Sequence, residues 1–284
     1  MMPGFWKTAR QGFWGGQAIG LPFAGNVYYV GSGAPSGVGI RRVDTIAAAL
    51  SLMISRDVLV LGPQEHAEGN LSIPATKPNI VIMGAGPRGS CFIEPATAAH
   101  NGLEILADDV TLINVGVANG SGGTYGLSVG SQTVSPDRFR SYGCKFEGTG
   151  IAARLYGAGD VLLDDCEFAW ANTGLQFRAN NNGFVTQAFI RGSRFHNNAT
   201  ACISESANQQ EVDNLQLWNN LFDQLEDGTE PTDFILLQHN GNTGVIGGNI
   251  FALATNATAK LTIGTGLMWA PNGTEAGWST ARPA

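Results

Sequence analysis

A repeat of about two dozen residues runs through the middle of the chain and constrains its fold more than any other feature. Between Asn101 and Phe177, a glycine followed by an apolar residue recurs every 24 residues. These pairs are Gly102-Leu103, Gly126-Leu127, Gly150-Ile151 and Gly174-Leu175, and the series continues at wider intervals with Cys202, Ile235 and Thr262. A fixed period of this size is typical of architectures in which one supersecondary unit stacks on the next.

A second series of apolar anchors interleaves with the first and advances by 22 to 29 residues. Each anchor ends a short segment in which apolar residues are interrupted by a polar turn. The anchors are Val117, Phe146, Phe168, Phe195, Phe222 and Phe251. Two short strand signals in each period predict a coiled β solenoid, and we expect the two series to form aligned rows along it.

Length and composition agree with one elongated all-β domain that carries terminal extensions. The chain has 284 residues, and its repeat is too continuous to favour two separate domains. It contains 39 glycines but only 14% charged residues, against about 25% charged in average globular chains. This bias favours many tight turns and stacked uncharged side chains.

Charge and hydropathy exclude several classes of partner. The net charge is −7 and the basic residues are scattered, so we expect no nucleic-acid partner. No apolar run approaches membrane-spanning length, and residues 1–20 contain no continuous apolar segment typical of a secretory signal. These observations predict synthesis in the cytoplasm and no insertion into a membrane.

The cysteines, histidines and acids show no metal-binding spacing, so we expect neither a metal nor a cofactor. The four cysteines form no CxxC pair, and no calcium-loop motif is present. Cys144 and Cys166 hold matching places in successive repeats, which predicts stacked, buried thiols. The histidines, each in a separate segment, are interpreted as turn or surface residues: His66, His100, His196 and His239.

Residues 1–40 lie outside the repeat and contain a doublet of aromatic pairs, Phe5-Trp6 and Phe13-Trp14. A glycine-rich segment cannot bury four large aromatic side chains by itself. It must therefore pack on its own domain or on another chain. We favour the second alternative, and predict that Phe5, Trp6, Phe13 and Trp14 anchor the protein to a partner.

A short amphipathic helix is predicted over residues 44–57, directly before the first strands. Asp44 or Thr45 is a suitable N-cap. The apolar face, spaced at helical intervals, comprises Ile46, Leu50, Met53 and Ile54. Such a helix would cover the open end of the first coil.

Several segments together resemble a known family. The helix of Thr45–Ser55 is followed by three segments rich in β-branched and small residues, and repeats such as residues 161–168 come later. The three segments are Val58-Leu-Val-Leu-Gly-Pro63, Glu68-Gly-Asn-Leu-Ser-Ile73 and Asn79-Ile-Val-Ile-Met-Gly-Ala-Gly86. Residues 41–264 in this way resemble the right-handed parallel β-helix of the pectin-lyase-like superfamily, and residues 265–284 would form a C-terminal cap or tail. The resemblance implies an all-β fold with a single right-handed parallel β-helix, a capping helix and an extended N-terminal arm.

That superfamily includes polysaccharide lyases, glycoside hydrolases, adhesins and virion proteins, so the resemblance specifies the fold better than the function. The aromatic N-terminus is most similar to that of bacteriophage structural proteins. This similarity implies a homotrimeric spike or decoration protein located in the virion. Residues 1–40 would attach it to other virion proteins of the capsid, tail or baseplate, and a host surface glycan would be a further partner.

Two other functions stay open at this stage. A tailspike-like polysaccharide depolymerase, either a hydrolase or a lyase, would use acids around Asp164, Asp165 and Glu167. Matching positions place Glu147 one coil earlier and Arg194 one coil later in the same expected row as Glu167. The alternative interpretation of these charges is a solvated outer row worth a few tenths of a kcal/mol per pair, and we favour it over catalysis. A glycan binder without catalysis would instead expose aromatic residues such as Trp170, Trp218 and Trp269.

Overall fold

Three long sheets build the protein in this computed structural model, which describes residues 13–14, 17–18, 25–32, 40–206, 210–223, 231–252, 261–274 and 277–279. Sheet A contains Leu71–Ile73, Leu103–Ile105, Tyr125–Val129, Ile151–Tyr156, Thr173–Arg178, Ala201–Glu205, Asp233–Leu237 and Leu261–Ile263. Sheet B contains Val27–Val30, Ile40–Val43, Val58–Leu61, Val81–Gly84, Thr111–Ile113, Arg140–Tyr142, Gly159–Asp164, Val185–Arg191, Val212–Asp213, Leu215–Trp218, Gly244–Gly247 and Leu267–Trp269. Sheet C contains Glu65–His66, Phe92–Ile93, Gly116–Ala118, Lys145–Glu147, Glu167–Ala169, Arg194–His196, Leu221–Asp223, Ile250–Phe251, Asn272–Thr274 and Gly277–Ser279.

The chain visits sheets A, B and C in turn and so forms a right-handed parallel β-solenoid of about eight coils. The predicted fold class is therefore confirmed. Three strands per coil replace the expected two, because each segment of the second series contains a corner. Thr111–Ile113 and Gly116–Ala118, for example, flank Asn114 at φ 55°. The same corner has positive φ in later coils at Gly143, Asp165, Gly192, Asn219 and Gly248.

The second series of anchors is confirmed as one inner row of sheet C. Val117, Phe146, Phe168, Phe195, Phe222 and Phe251 pair consecutively across six coils. Their rings stack inside the core, with centroids 4.5 Å apart for Phe168 and Phe195 and 4.9 Å apart for Phe195 and Phe222. Each ring is almost completely buried, so this row contributes much of the apolar area removed from water.

The first series is correct in part. Leu103, Leu127 and Leu175 share a row of sheet A, but Ala153 takes the place predicted for Ile151. Farther along, Ile203 and Leu261 replace Cys202 and Thr262, while Ile235 is as predicted. The loops that lead from sheet C into sheet A differ in length between coils, so a constant spacing in sequence does not fix the register there.

The predicted helix is present as α1, Ile46–Leu52, and is shorter than expected. The hydroxyl of its N-cap Thr45 accepts a hydrogen bond from Ala48 N at 3.1 Å, and the Glu68 carboxylate accepts from Ile46 N and Ala47 N. Buried Ile46, Leu50 and Met53 join the core at the first coil, as a cap requires, whereas Ile54 is 63% exposed. Ile54 lies after the helix end, because the backbone is already extended at Met53.

The two termini extend the sheets. Val27–Val30 falls within the predicted arm, yet it lies in sheet B between Ile40–Val43 and Val58–Leu61. Phe13–Trp14 pairs antiparallel with Gln17–Ala18, while Phe5 and Trp6 lie outside the described residues. At the other end, residues 267–274 still add strands to sheets B and C, and Gly277–Ser279 closes sheet C with an antiparallel pair.

Directly after the corner between sheets B and C, an inner row of side chains changes its chemistry along the solenoid. All four cysteines are buried thiols outside any disulfide, and Cys91, Cys144 and Cys166 belong to this row, so the predicted buried thiols are confirmed. Farther along, amide side chains satisfy the backbone: Ser193 N, Asn220 N and Asn249 N donate to the Oδ1 atoms of Asn220, Asn249 and Asn272, each at 2.9 Å. In the part of the chain that the structure describes, no helix is long and apolar enough to span a membrane.

Candidate functional site

The three acids singled out from the sequence lie on different parts of one coil. Asp164 ends a strand of sheet B, and its Oδ2 lies 2.8 Å from the guanidinium of Arg191. Asp165 occupies the left-handed corner at φ 53° and forms an ion pair with Arg88. Glu167 begins the next strand, on sheet C. The structure therefore separates the three carboxylates, and each contacts a different basic side chain.

Glu167 belongs to a group of charged side chains on the outer face of sheet C, here called the charged patch. One row contains Lys145, Glu167 and Arg194, and the neighbouring row contains Glu147, His196 and Asp223. The expectation that Glu147 shares a row with Glu167 and Arg194 is wrong, because Glu147 follows the anchor Phe146 whereas Glu167 precedes Phe168.

The charges of this patch are satisfied within it. Lys145 Nζ lies 2.7 Å from Glu147 Oε2 and 3.8 Å from Glu167 Oε1. His196 Nε2 lies 3.1 Å from the same Glu167 oxygen, and Arg194 contacts Asp223 at 2.7 Å. The hydrogen bond from His196 is the main cause that lowers the pKa of Glu167, and Lys145 lowers it further. Glu167 is therefore an ionised acceptor at neutral pH.

The outer face of sheet A carries a different cluster, which sequence reasoning missed. The guanidinium carbon of Arg154 lies 4.3 Å from the ring centroid of Tyr125 and 5.0 Å from that of Tyr156, and its nitrogens donate to Ser128 Oγ at 3.1 Å. The guanidinium carbon of Arg178 also lies over the Tyr156 ring, 4.7 Å from its centroid. Burial lowers the pKa of Arg154, which stays a cation. Among the described residues neither arginine lies in an ion pair, so this face can accept an anionic group.

Position in the repeat could have revealed this cluster. Arg154 and Tyr156 alternate with the inner residues Ala153 and Leu155 of their strand, so both side chains face outward. The error in register at Ile151 concealed which residues of the adjacent coils lie beside them. A shift in the pairing of adjacent coils changes every cross-strand pair on that face.

The tryptophans and histidines divide between core and surface. Trp269 stacks on Phe251 with centroids 6.1 Å apart, and Trp218 donates from Nε1 to Gln216 Oε1. Trp170 is 54% exposed and can reach a ligand. The interpretation of every histidine as a turn or surface residue is wrong for His66 and His196, which are buried in strands of sheet C. Burial lowers the pKa of His66.

The described residues contain no group of three or more histidines, cysteines or acids placed to hold a metal ion. The outer face of sheet C carries paired charges, and the outer face of sheet A carries the arginines Arg154 and Arg178, which could bind an anion. Near the charged patch, the indole of Trp170 is exposed.

The family described as a right-handed β-helix region matches residues 125–266, which is half of the chain. The solved pectin methylesterase of Aspergillus niger is 15% identical, with a TM-score of 0.50, and the alignment covers 92% of this chain and 89% of that one. The pectate lyase Pel9A is 10% identical, with a TM-score of 0.51 and coverage of 89% and 76%. These likenesses show a shared fold.

A third solved structure, ORF18 of Geobacillus virus E2, is 12% identical, with a TM-score of 0.39. The alignment covers 82% of this chain and 58% of that one, and a likeness of this size carries no argument about role. A comparison with curated protein sequences gave no match.

Proposed function

This chain belongs to the right-handed β-helix family. Within that family, we propose that it is a non-enzymatic structural protein of a bacteriophage particle, a spike or decoration protein. One observation carries the non-enzymatic part of the proposal: the acids best placed for chemistry are neutralised by their neighbours. Glu147 and Glu167 share the ammonium of Lys145, and Glu167 also contacts His196.

The electrostatics of Glu167 oppose a role as general acid. A glycosidase of the common type keeps one carboxylic acid protonated near neutral pH by raising its pKa. The pKa of Glu167 is lowered instead, because His196 and Lys145 stabilise the carboxylate. The patch therefore supports neighbouring coils through charge pairing.

The solenoid suits a structural role for a mechanical reason. Its coils are joined by parallel ladders along three sheets, so bending the rod would break hydrogen bonds on several faces at once. In this proposal the protein is a homotrimer in the virion. Its N-terminal arm attaches it to other virion proteins through Phe5, Trp6, Phe13 and Trp14, and the solenoid projects outward.

Two measurements test this proposal. Antibodies raised against the solenoid should label intact particles of the parent phage by immunogold microscopy. Light scattering should give the mass of a trimer for the full chain and a lower mass when Phe5, Trp6, Phe13 and Trp14 are all replaced by serine. A second variant that begins at Gly25 keeps Val27–Val30, which is part of sheet B, and should behave like the serine variant. A full chain that is monomeric and absent from particles would contradict the proposal.

A polysaccharide depolymerase is the second candidate, and the spacing of Glu147 and Glu167 favours it. Lys145 Nζ lies 2.7 Å from Glu147 Oε2 and 3.8 Å from Glu167 Oε1, so these two oxygens are at most about 6.5 Å apart, close to the separation of paired catalytic acids. Pectin is the natural polysaccharide to test, because the two solved structures of this fold are a pectin methylesterase and a pectate lyase. Cleavage that is lost in Glu167→Gln would establish this function.

A further inference from the structure

Trp170 stands where the backbone favours a different residue. Its φ is 54°, in the left-handed region that bulky L residues rarely adopt. The residues that follow the neighbouring sheet C strands at the same place are Gly148, at φ 135°, and Asn197, at φ 53°. Glycine and asparagine are the residues that tolerate such corners. The fold therefore does not require tryptophan at this corner, and strain of this kind often marks a functional site.

The indole is also presented to solvent beside a groove. Trp170 is 54% exposed and lies nearly perpendicular to the His196 ring, with centroids 6.3 Å apart. The groove has a volume of about 360 Å³ and is lined by Trp170 together with Glu94, Asn119, Glu147 and Thr149. It lies at the edge of sheet C, next to the charged patch, and on a different sheet from the Arg154 cluster.

The two acids of the groove, Glu94 and Glu147, can accept hydrogen bonds and carry negative charge. Burial raises the pKa of Glu94, and the nearby carboxylates of Glu65 and Glu147 raise it further. An anionic ligand would add further negative charge beside them. A ligand with many hydroxyl groups could donate hydrogen bonds to these acids without adding charge.

We propose that this groove binds a neutral saccharide, with one sugar ring stacked on Trp170 and its hydroxyl groups donating to Glu94 and Glu147. An aromatic ring offers a flat apolar surface to the C–H face of a sugar, and the acids fix its orientation. The site adds ligand recognition to the structural role proposed above. It does not depend on attachment to a virion, because every group that forms it lies within the solenoid.

The test uses the full-length protein and a panel of neutral hexasaccharides: maltohexaose, cellohexaose, xylohexaose and N-acetylchitohexaose. Affinity is measured by isothermal titration calorimetry, and polygalacturonate oligomers serve as the acidic comparison. Three variants are needed. Trp170→Asn copies the residue of the equivalent corner at Asn197, Trp170→Tyr keeps an aromatic ring, and Phe189→Asn removes an aromatic side chain of similar exposure, 41%, from sheet B.

We expect at least one neutral hexasaccharide to bind the wild type. Its affinity should fall at least about tenfold in Trp170→Asn, recover in part in Trp170→Tyr and stay unchanged in Phe189→Asn. The thermal midpoint of Trp170→Asn should not fall, which separates loss of binding from loss of folding. The proposal is overturned if no neutral saccharide of the panel binds, or if binding survives in Trp170→Asn. Binding of polygalacturonate alone would also overturn it, and would direct attention to the arginines of sheet A.

Discussion

The two series of left-handed corners in this solenoid obey different rules. Between sheets B and C, each left-handed corner from strand Thr111–Ile113 onward is occupied by Asn, Asp or Gly. These residues are Asn114, Gly143, Asp165, Gly192, Asn219 and Gly248. After sheet C, the comparable positions hold Gly148, Trp170 and Asn197. The first series contains residues that the backbone conformation favours, and the second contains one that it does not. The residues between sheets B and C therefore suit their backbone conformation, whereas Trp170 does not, as the proposed binding role of its indole would explain.

The largest effect should come from the amide row that lines the corner between sheets B and C. Asn249→Ala removes the acceptor of Asn220 N and the donor to Leu217 O, and both partners are buried. We expect a loss of about 2–4 kcal/mol in the free energy of unfolding, because buried polar groups lose their partners. Urea unfolding measures it, with the exposed Gln238→Ala as control. A loss as small as that of the control would show that this corner needs no amide.

A smaller effect is expected at the left-handed residue itself. Asn219 has φ 55°, so Asn219→Ala should cost about 1–2 kcal/mol because a Cβ without a compensating polar group is unfavourable there. Asn219→Gly should cost much less. The difference between the two variants in urea unfolding isolates the conformational term. Equal losses would mean that contacts of the Asn219 side chain matter more than its backbone.

At Trp170 the same reasoning predicts the opposite sign. Trp170→Asn should leave the free energy of unfolding unchanged or raise it by up to about 1 kcal/mol, since asparagine relieves the strained backbone and more than half of the indole is already exposed. Thermal unfolding measures the change. A clear destabilisation would indicate that the indole is needed for packing, and the contrast between the two series of corners would disappear.

The smallest effect concerns the charged patch. The folded state lowers the pKa of Glu167 below its ordinary value of about 4.3. Its contribution to stability is therefore present above pH 4.3 and is lost as the pH falls through the lowered pKa. Because the side chain is half-buried, we expect less than about 1 kcal/mol. Glu167→Gln should flatten the stability profile between pH 5 and pH 2, in urea unfolding, relative to a Glu65→Gln control at an exposed position of sheet C. A profile identical to that of the wild type would exclude this ion pair as a source of stability.

Much of the fold could be predicted from the sequence, because its rules are local. The predicted row of Val117 and the five phenylalanines is correct in every coil. A corner of constant length with one left-handed residue joins sheets B and C, so the strands that follow it keep the same register from coil to coil. The row in sheet A was partly wrong, because the loops before it vary in length. The helix and its N-cap Thr45 were predicted, but the predicted helix was too long. The observed helix ends at Leu52, because the backbone of Met53 is extended.

The candidate site was less predictable for a physical reason. Which charges meet depends on pairing between coils. The observed register differs from the expected one by two residues, so Glu147 lies in the row of Ala169, His196 and Asp223 and not in the row of Glu167 and Arg194. The Arg154 cluster depends on the same register in sheet A. Trp170 was visible as an aromatic residue in the sequence, but its left-handed backbone became evident only from the structure.

In the proposed structural role, the acids of sheet C support the solenoid and do not cleave a polysaccharide. The most direct measurement is the release of new chain ends from pectin, polygalacturonate and neutral glycans by the wild type and by Glu167→Gln, at several pH values between 4 and 8. We predict no release above a protein-free control at any pH by either protein. Release by the wild type that Glu167→Gln abolishes would contradict the claim and assign the charged patch to catalysis.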